Sequence, residues 1–477
     1  MNENSKKLKL SKDQQKAMER FDTFLEDEAS VFILKGYAGT GKTTIVKEMI
    51  AKLTKKQAAC HLLASTGRAA KILANATSMI TNTVHSLIYK FKDFNQDLDN
   101  VVSERTSTGV DSTGQLVLIF DLTPIDSEDK QQFYFVDEAS MVSDVKDNSA
   151  YQAMFGSGRL LTDLLTYDPN GKFIFIGDAC QLPPVHQKES PALSVRYFQN
   201  TFQQKAIEAT LTQIMRQKEG NDIVVAAQKL RNLYQNPQTW KWAKFPFRGF
   251  RNVHLMESQV ALVQNYIEHI KRYGYNNSTL LCFSNRQCDA VTKIVRQALG
   301  LTSDTLQKDD LLLITQNNNI TGLMNGDLVK VSSVQIKEHR AGLTFLSVSV
   351  REITTQREYS GLMIADIIYS NQTNLSQTQQ KELFVDFAMR MKKKGIKQKT
   401  KQFNDMMIND QYLNALRAVY GFALTCHKAQ GGEWDNVFLD IPRNFPLQPK
   451  PYVYQWMYTA TTRAKKELYL VDDFYIM

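Results

Sequence analysis

Nine residues near the start, Gly36-Tyr37-Ala38-Gly39-Thr40-Gly41-Lys42-Thr43-Thr44, restrict what this chain can fold into more than any other stretch. They fit GxxxxGK[ST] and follow "VFILK" (31–35), an apolar run that reads as a buried strand. After them Ile45, Val46, Met49, Ile50 and Leu53 fall on one face of a helix beginning near Lys42. A strand, a glycine-rich turn and a helix form one α/β unit built around a phosphate. Gly36, Gly39 and Gly41 let the backbone turn tightly, so that N–H groups from Gly36 to Thr44, those of Ala38 and Thr40 included, line a cradle. The helix adds the positive end of its dipole. Lys42 can reach β- and γ-phosphates, and the Thr43 hydroxyl can ligate Mg2+. With Gly at about 7% of residues, chance produces such a match in a chain this long only on the order of a few times in a hundred.

Mg2+ needs a second protein anchor, and an apolar strand ending in acids is a usual source. "FYFVDEAS" (133–140) supplies one. Asp137 is placed to hold the metal, and Glu138 to orient and deprotonate an attacking water. A further strand ends in "FIGDACQLPPV" (175–185), where Gln181 suits sensing of the γ-phosphate and two prolines stiffen the turn. A solvated Asp-Glu pair and a plain proline-rich turn are the bland alternatives. The complete phosphate loop weighs against both.

The rest of the chain is long enough for two to four domains. Of 477 residues, 43% are hydrophobic and 22% charged, which allows a core of ordinary density and excludes a disordered chain. No apolar run approaches the ~18 residues of a membrane span, and "MNENSKKLKLSKDQQ" lacks an apolar signal core. Five cysteines, an odd number with no CxxC, argue against a disulfide framework or a zinc site. We therefore expect a cytoplasmic protein with no membrane partner. A net charge of +9 is compatible with a polyanionic partner, and equally with a soluble lysine-rich protein.

The first third alternates strands and helices, with "HLLAS" (61–65), "FYFVD" (133–137) and "KFIFIG" (172–177) as buried strands. That pattern implies a parallel sheet covered on both faces. A second set, "STLLCFS" (278–284), "NVFLD" (436–440) and "ELYLVDD" (467–473), implies a second α/β domain. Two stretches break the pattern. Residues 89–122 are polar and turn-rich and read as a small insertion. Residues 302–418 contain alternating strands such as "LVKVSSVQI", then helix-like segments and "MKKKGIKQKTK" (391–401), with six lysines and no acid. That run reads either as a solvated face or as an arm that guides DNA.

A dense polar cluster, "ALTCHKAQGGEW" (423–434), lies far from the phosphate loop. With it, the order of motifs becomes recognisable: Gln14 in "LSKDQQKA", GYAGTGKT, "ASTGRAAKIL", "TVHSL", DEAS, GDACQLPPV, "LTQIMRQ", "TCHKAQGGEW" and "YTATTRA". Together they resemble superfamily 1 helicases, most closely the compact Dda-type members of the RecD-like branch, from Leu10 to about Val471. The resemblance implies two RecA-like P-loop NTPase domains, at 1–88 with 123–210 and at 211–301 with 419–477. The 89–122 insertion would be a strand-separating wedge carrying Phe91 and Phe94, and 302–418 a β-barrel-like module with a basic helical arm. It implies ATP and Mg2+ in the cleft. Gln14 would read adenine, and Arg216 and Arg463 would reach the γ-phosphate from the second domain. Thr66, Thr83, His85, Thr425 and His427 would meet the DNA, while Gln430, the Gly431-Gly432 turn and Glu433 face the nucleotide.

Two departures stand out: Ser65 occupies a usual proline position, and "GGEW" replaces the more usual Gly-Ser-Glu-Phe. The resemblance further implies 5′→3′ movement on single-stranded DNA, action at duplex junctions as a monomer, and replication or recombination proteins as partners. Two other readings stand beside a helicase. One is a DNA-stimulated translocase that remodels protein–DNA complexes without separating strands. The other is a P-loop kinase or small-molecule NTPase.

Overall fold

The structure is a computed structural model and describes residues 10–108, 115–125, 131–146, 153–215, 221–370 and 372–477. Its first sheet has six strands in the order Thr81–Thr83, Ala59–Ala64, Gln132–Asp137, Lys172–Gly177, Val31–Gly36 and Ala206–Leu211. All neighbours run parallel. Alternation along Val31–Leu34 sends Phe32 and Leu34 into one apolar core, with Ile45, Val46 and Met49 of the helix Lys42–Lys55. It sends Val31 and Ile33 into another, with Leu161 and Leu164 of the helix Leu160–Tyr167. A parallel sheet buried on both faces exposes only its ends, and ligands bind at the carboxyl end. Gly36, Ala64, Asp137 and Gly177 all end strands at that edge.

A second parallel sheet runs in the order Val253–Met256, Ala464–Val471, Trp434–Asp440, Ser278–Cys282 and Leu424–Thr425. The strand leading into the 423–434 cluster is only these last two residues. Ala418–Tyr420 pairs instead with Leu311–Ile314 of a third, antiparallel sheet. The sheet of the inserted module thus runs two residues past the expected boundary at 418. Its order is Glu358–Ile364, Leu343–Glu352, Leu328–Arg340, Leu311–Ile314 and Ala418–Tyr420. A bridge between Met363 and Leu416 brings its two edges together into a small barrel. Among the described residues no helix is long and apolar enough to cross a membrane.

The 89–122 insertion forms the strands Tyr89–Phe94 and Leu118–Leu122 around the helix Leu98–Thr108, and recruits Ala153–Phe155 as a third strand. The arm of the barrel module, helices Gln377–Lys393 and Lys401–Ile408, packs on it. Phe94, Leu98, Val101 and Val102 share one apolar cluster with Phe384, Phe387, Ala388, Met391 and Phe403. This corrects the expectation for Phe94. The ring is 5% exposed and lies edge-on to Phe384 at 5.1 Å, so it is core and cannot stack on a base pair. Phe91 is half-buried, 5.4 Å from Phe94 and 5.7 Å from Phe120. In the basic run Met391 and Ile396 turn into the cluster while the six lysines stay exposed. Lys399 meets Asp93 at 3.3 Å, across the same contact.

Candidate active site and nucleic-acid interface

The phosphate loop joins the strand Val31–Gly36 to the helix Lys42–Lys55, with Gly39 and Gly41 at φ 78° and 79°. Only glycine adopts that backbone without strain. The Lys42 ammonium donates to the carbonyls of Gly36 and Tyr37 at 2.8 and 3.3 Å, curled over the loop it serves. Thr40 is buried with its hydroxyl on the Tyr37 carbonyl, Thr43 is exposed, and Thr44 is half-buried on the same first turn. Gln14 is buried beside the loop. It closes a capping box with Ser11 and donates Nε2 to the Thr40 carbonyl at 3.2 Å, so a helix cap delivers the expected adenine reader.

Asp137 ends its strand and accepts from the Glu138 N–H at 2.9 Å. Burial, and then the Glu138 charge, push its carboxyl up to about 6, while Lys42 opposes them. Glu138 has φ 50°, a left-handed backbone rare outside glycine and common where a site holds strain. The hydroxyl of Thr43 and the carboxylate of Asp137 are hard oxygen donors and fit Mg2+ that shares its other ligands with phosphate and water. Burial also raises Asp178, which accepts from the Cys180 N–H at 2.9 Å. Gln181 is buried, and its Oε1 has no hydrogen-bond partner among the described residues. An orphaned acceptor at this edge suits a nucleotide-bound water.

The second domain supplies the opposite wall. Gln430 donates to the Leu182 carbonyl (3.3 Å), Gln455 to the Gln181 carbonyl (3.4 Å), and Thr459 accepts from the Leu182 N–H (2.9 Å). Tyr458 donates to Asp178 at 2.6 Å and accepts from the Ala38 N–H at 3.3 Å, joining the second domain to the phosphate loop itself. Arg463 is buried. Its guanidinium donates to the carbonyls of Thr459 (3.0 Å) and Gly432 (3.3 Å) and to the Thr462 hydroxyl (3.3 Å). Glu433 is exposed, while Gly431 and Gly432 pack on Ala69 and Arg68 of the first domain. Arg216 lies outside the described residues.

Three of the five residues expected at DNA, Thr66, Thr83 and His85, sit at helix starts. Thr66 caps the helix Gly67–Thr77 and Thr83 caps Val84–Ile88, each through its own hydroxyl. His85 is exposed, 5.4 Å from Phe155 and 5.6 Å from Tyr89. Thr425 and His427 are half-buried beside the short strand.

Sequence reading missed three of these side chains. Arg231 stacks on Tyr37 at 3.7 Å, with Nε buried and unpartnered among the described residues. With Ala38, Gly39, Tyr458 and Thr462 it lines a cleft beside the phosphate loop. Alone in the amphipathic helix Asp222–Gln235, it looks like a surface charge. Tyr458 and Thr459 read as helix core, and only the partner domain gives their hydroxyls a role.

The AAA domain family matches residues 9–237, and the UvrD-like helicase C-terminal domain family matches residues 420–471. An uncharacterized protein of Methanocaldococcus jannaschii is 23% identical over 488 residues, covering 93% of this chain and 36% of its own length. The chain therefore spans about a third of that relative. An uncharacterized protein of Acanthamoeba polyphaga mimivirus is 22% identical over 508 residues, covering 92% and 94% of the two chains. A solved Pif1 helicase, from work on DNA unwinding at forked double-stranded DNA by two coordinating copies, superposes with a TM-score of 0.50. It is 17% identical, over 98% of this chain and 94% of that one, a likeness of fold. The AAA match falls on the first parallel sheet and the UvrD-like helicase match on part of the second, and the likeness to the solved helicase is one of fold, two RecA-like domains.

Proposed function

We propose that this chain is a superfamily 1 helicase that hydrolyses ATP between its two RecA-like domains, moves 5′→3′ along single-stranded DNA and separates duplex at junctions. The observation that carries the reading is the loop Asp178–Leu182. It follows a strand of the first domain, yet Tyr458, Thr459, Gln430 and Gln455 of the second domain hold it. A change at the γ-phosphate therefore reaches the domain boundary directly.

In the chemical step water attacks the γ-phosphorus, the bond to the β-γ bridging oxygen breaks, and Glu138 takes the proton from the water. Gln181 orients that water. Lys42, with Arg463 and Arg216 delivered by domain closure, stabilises charge on the phosphoryl oxygens. Mg2+, held by Thr43 and by Asp137, supplies further neutralisation when bound. On the DNA side, hydroxyl and imidazole groups at Thr66, Thr83, His85, Thr425 and His427 give contacts weak enough to break at every step.

Opening a base-pair step costs about 1.4 kcal/mol, roughly a tenfold penalty. A motor that advances after each thermal opening prevents reannealing. The burial of Phe94 favours a second reading, a translocase without strand separation, because it removes one aromatic from the expected wedge.

The test is steady-state ATPase with and without single-stranded oligonucleotide. We expect stimulation of tenfold or more. Lys42→Ala and Glu138→Gln should abolish turnover while Glu138→Gln still binds ATP. A rate indifferent to DNA would return the chain to the small-molecule NTPases.

A further inference from the structure

The helix Gly67–Thr77 begins at Thr66, an expected DNA contact, and its second residue, Arg68, crosses the domain boundary. The Arg68 guanidinium lies 4.4 Å from the centre of the Trp434 ring, which is 1% exposed. Its Nη1 is buried with no hydrogen-bond partner among the described residues; the charge of Asp327 acts on the guanidinium, and the stack on Trp434 is its contact across the boundary. Gly432 faces the same stack. A Cβ there would stand 2.7 Å from Arg68 Cζ and 2.7 Å from Trp434 Cη2. A side chain at 432 and the Arg68–Trp434 stack therefore exclude each other, which gives "GGEW" a physical reason. The segment that Arg68 grips also bonds Arg463. The Gly432 carbonyl accepts from its guanidinium at 3.3 Å, and the Trp434 N–H donates to its carbonyl at 2.9 Å.

We propose that Arg68 is a positioning residue: stacked on Trp434, it holds the segment Gly432–Trp434, and through it Arg463, in register with the phosphate loop. The proposal rests on the reading that single-stranded DNA accelerates hydrolysis through domain closure, and it assigns the mechanical link. Thr66 and Arg68 open one helix, so a contact at the DNA face shifts the stack and with it the arginine that completes the ATP site. Arg68 touches neither reactant in this scheme. Its effect belongs in the turnover of the DNA-bound enzyme, not in affinity for ATP or DNA.

The experiment compares wild type, Arg68→Lys, Arg68→Ala, Trp434→Leu, Trp434→Phe and the double variant Arg68→Ala/Trp434→Leu. The readouts are ATPase with and without oligo(dT), KM for ATP, and oligo(dT) affinity by anisotropy at two salt concentrations. Arg68→Lys keeps the charge and loses the flat stacking surface, so it should fold and still fail. We expect DNA-stimulated kcat to fall about tenfold in Arg68→Lys and Arg68→Ala, with KM and DNA affinity within twofold of wild type. Trp434→Phe should retain most of the stimulation, and the double variant should be no worse than the worse single one.

Three results would overturn the proposal. The first is Arg68→Lys behaving as wild type. The second is additive losses in the double variant. The third is weaker DNA binding in Arg68→Ala with a salt slope reduced by about 0.7, the signature of a direct phosphate contact. A wild-type rate that ignores DNA is a separate outcome, which sinks the functional reading and this inference with it.

Discussion

Lys71 lies one turn beyond Arg68 and ties the same helix to the barrel module. Its ammonium bonds Asp327 and meets Glu352 at 3.1 Å, two carboxylates that are almost wholly buried. Burial alone would lower its pKa, but the hydrogen bond to Asp327 and the charges of both acids hold it above the usual lysine value. Removing one partner of a buried ion pair leaves uncompensated charge, at a cost of roughly 3–5 kcal/mol. Lys71→Met should therefore lower chemical-denaturation stability by that order, and Lys71→Met/Asp327→Asn/Glu352→Gln should recover part of the loss. Equal stability in Lys71→Met would show the pair to be solvent-screened. His427 gives a pH prediction. Burial lowers its pKa in the folded chain, so the folded state binds its proton less readily than the unfolded state. Stability is then unaffected above the unfolded value of about 6.5 and falls as pH drops through it. His269 shifts the same way. His427→Gln should reduce, without abolishing, the stability lost between pH 7.5 and 5.5 in guanidinium unfolding. An unchanged pH slope would remove His427 from the account.

Among the elements, those bounded by strong local chemistry were legible in the chain. The apolar run at 31–35, the glycines at 36–41 and the helical stripe from Ile45 to Leu53 lie where the sequence pattern puts them. The register of 423–434 was less legible. Ala418–Tyr420 and Leu424–Thr425 are both short and lie in one continuous stretch, and only pairing with Leu311–Ile314 or with Leu281–Cys282 decides which sheet each joins. The aromatics of the 89–122 insertion mislead for the same reason. An apolar residue in a polar stretch reads as an exposed wedge until its cover, here the arm almost 300 residues later, comes into view. Phe94→Ala should remove about 3–5 kcal/mol of packing between insertion and arm. Hydrogen exchange in 377–408 should rise while the ATP site keeps its protection. If the arm's exchange is unaltered, the shared cluster does not hold it. Unwinding should suffer more than ATPase, because no residue of the insertion or arm lines the cleft at the phosphate loop.

At the scale of the whole molecule, the chain is two parallel-sheet domains whose facing edges are already laced together. Four hydrogen bonds join the second domain to Asp178–Leu182, and Arg231 stacks on Tyr37. The phosphate-side residues were readable because each belongs to a short motif with its own chemistry. Tyr458, Thr459, Arg231 and the Arg68–Trp434 stack were not, since each acts only on a partner hundreds of residues away. Motif spacing carries no record of such pairings, and they are what a motor needs in order to turn phosphate chemistry into movement. The central claim is that this lacing couples ATP to directional strand separation, and an unwinding assay on 5′- and 3′-tailed duplexes, with and without ATP and Mg2+, tests it most directly. The account predicts ATP-dependent release of the complementary strand from the 5′-tailed duplex and none from the 3′-tailed one. Failure to open either duplex, while ATPase still responds to single strands, would contradict it.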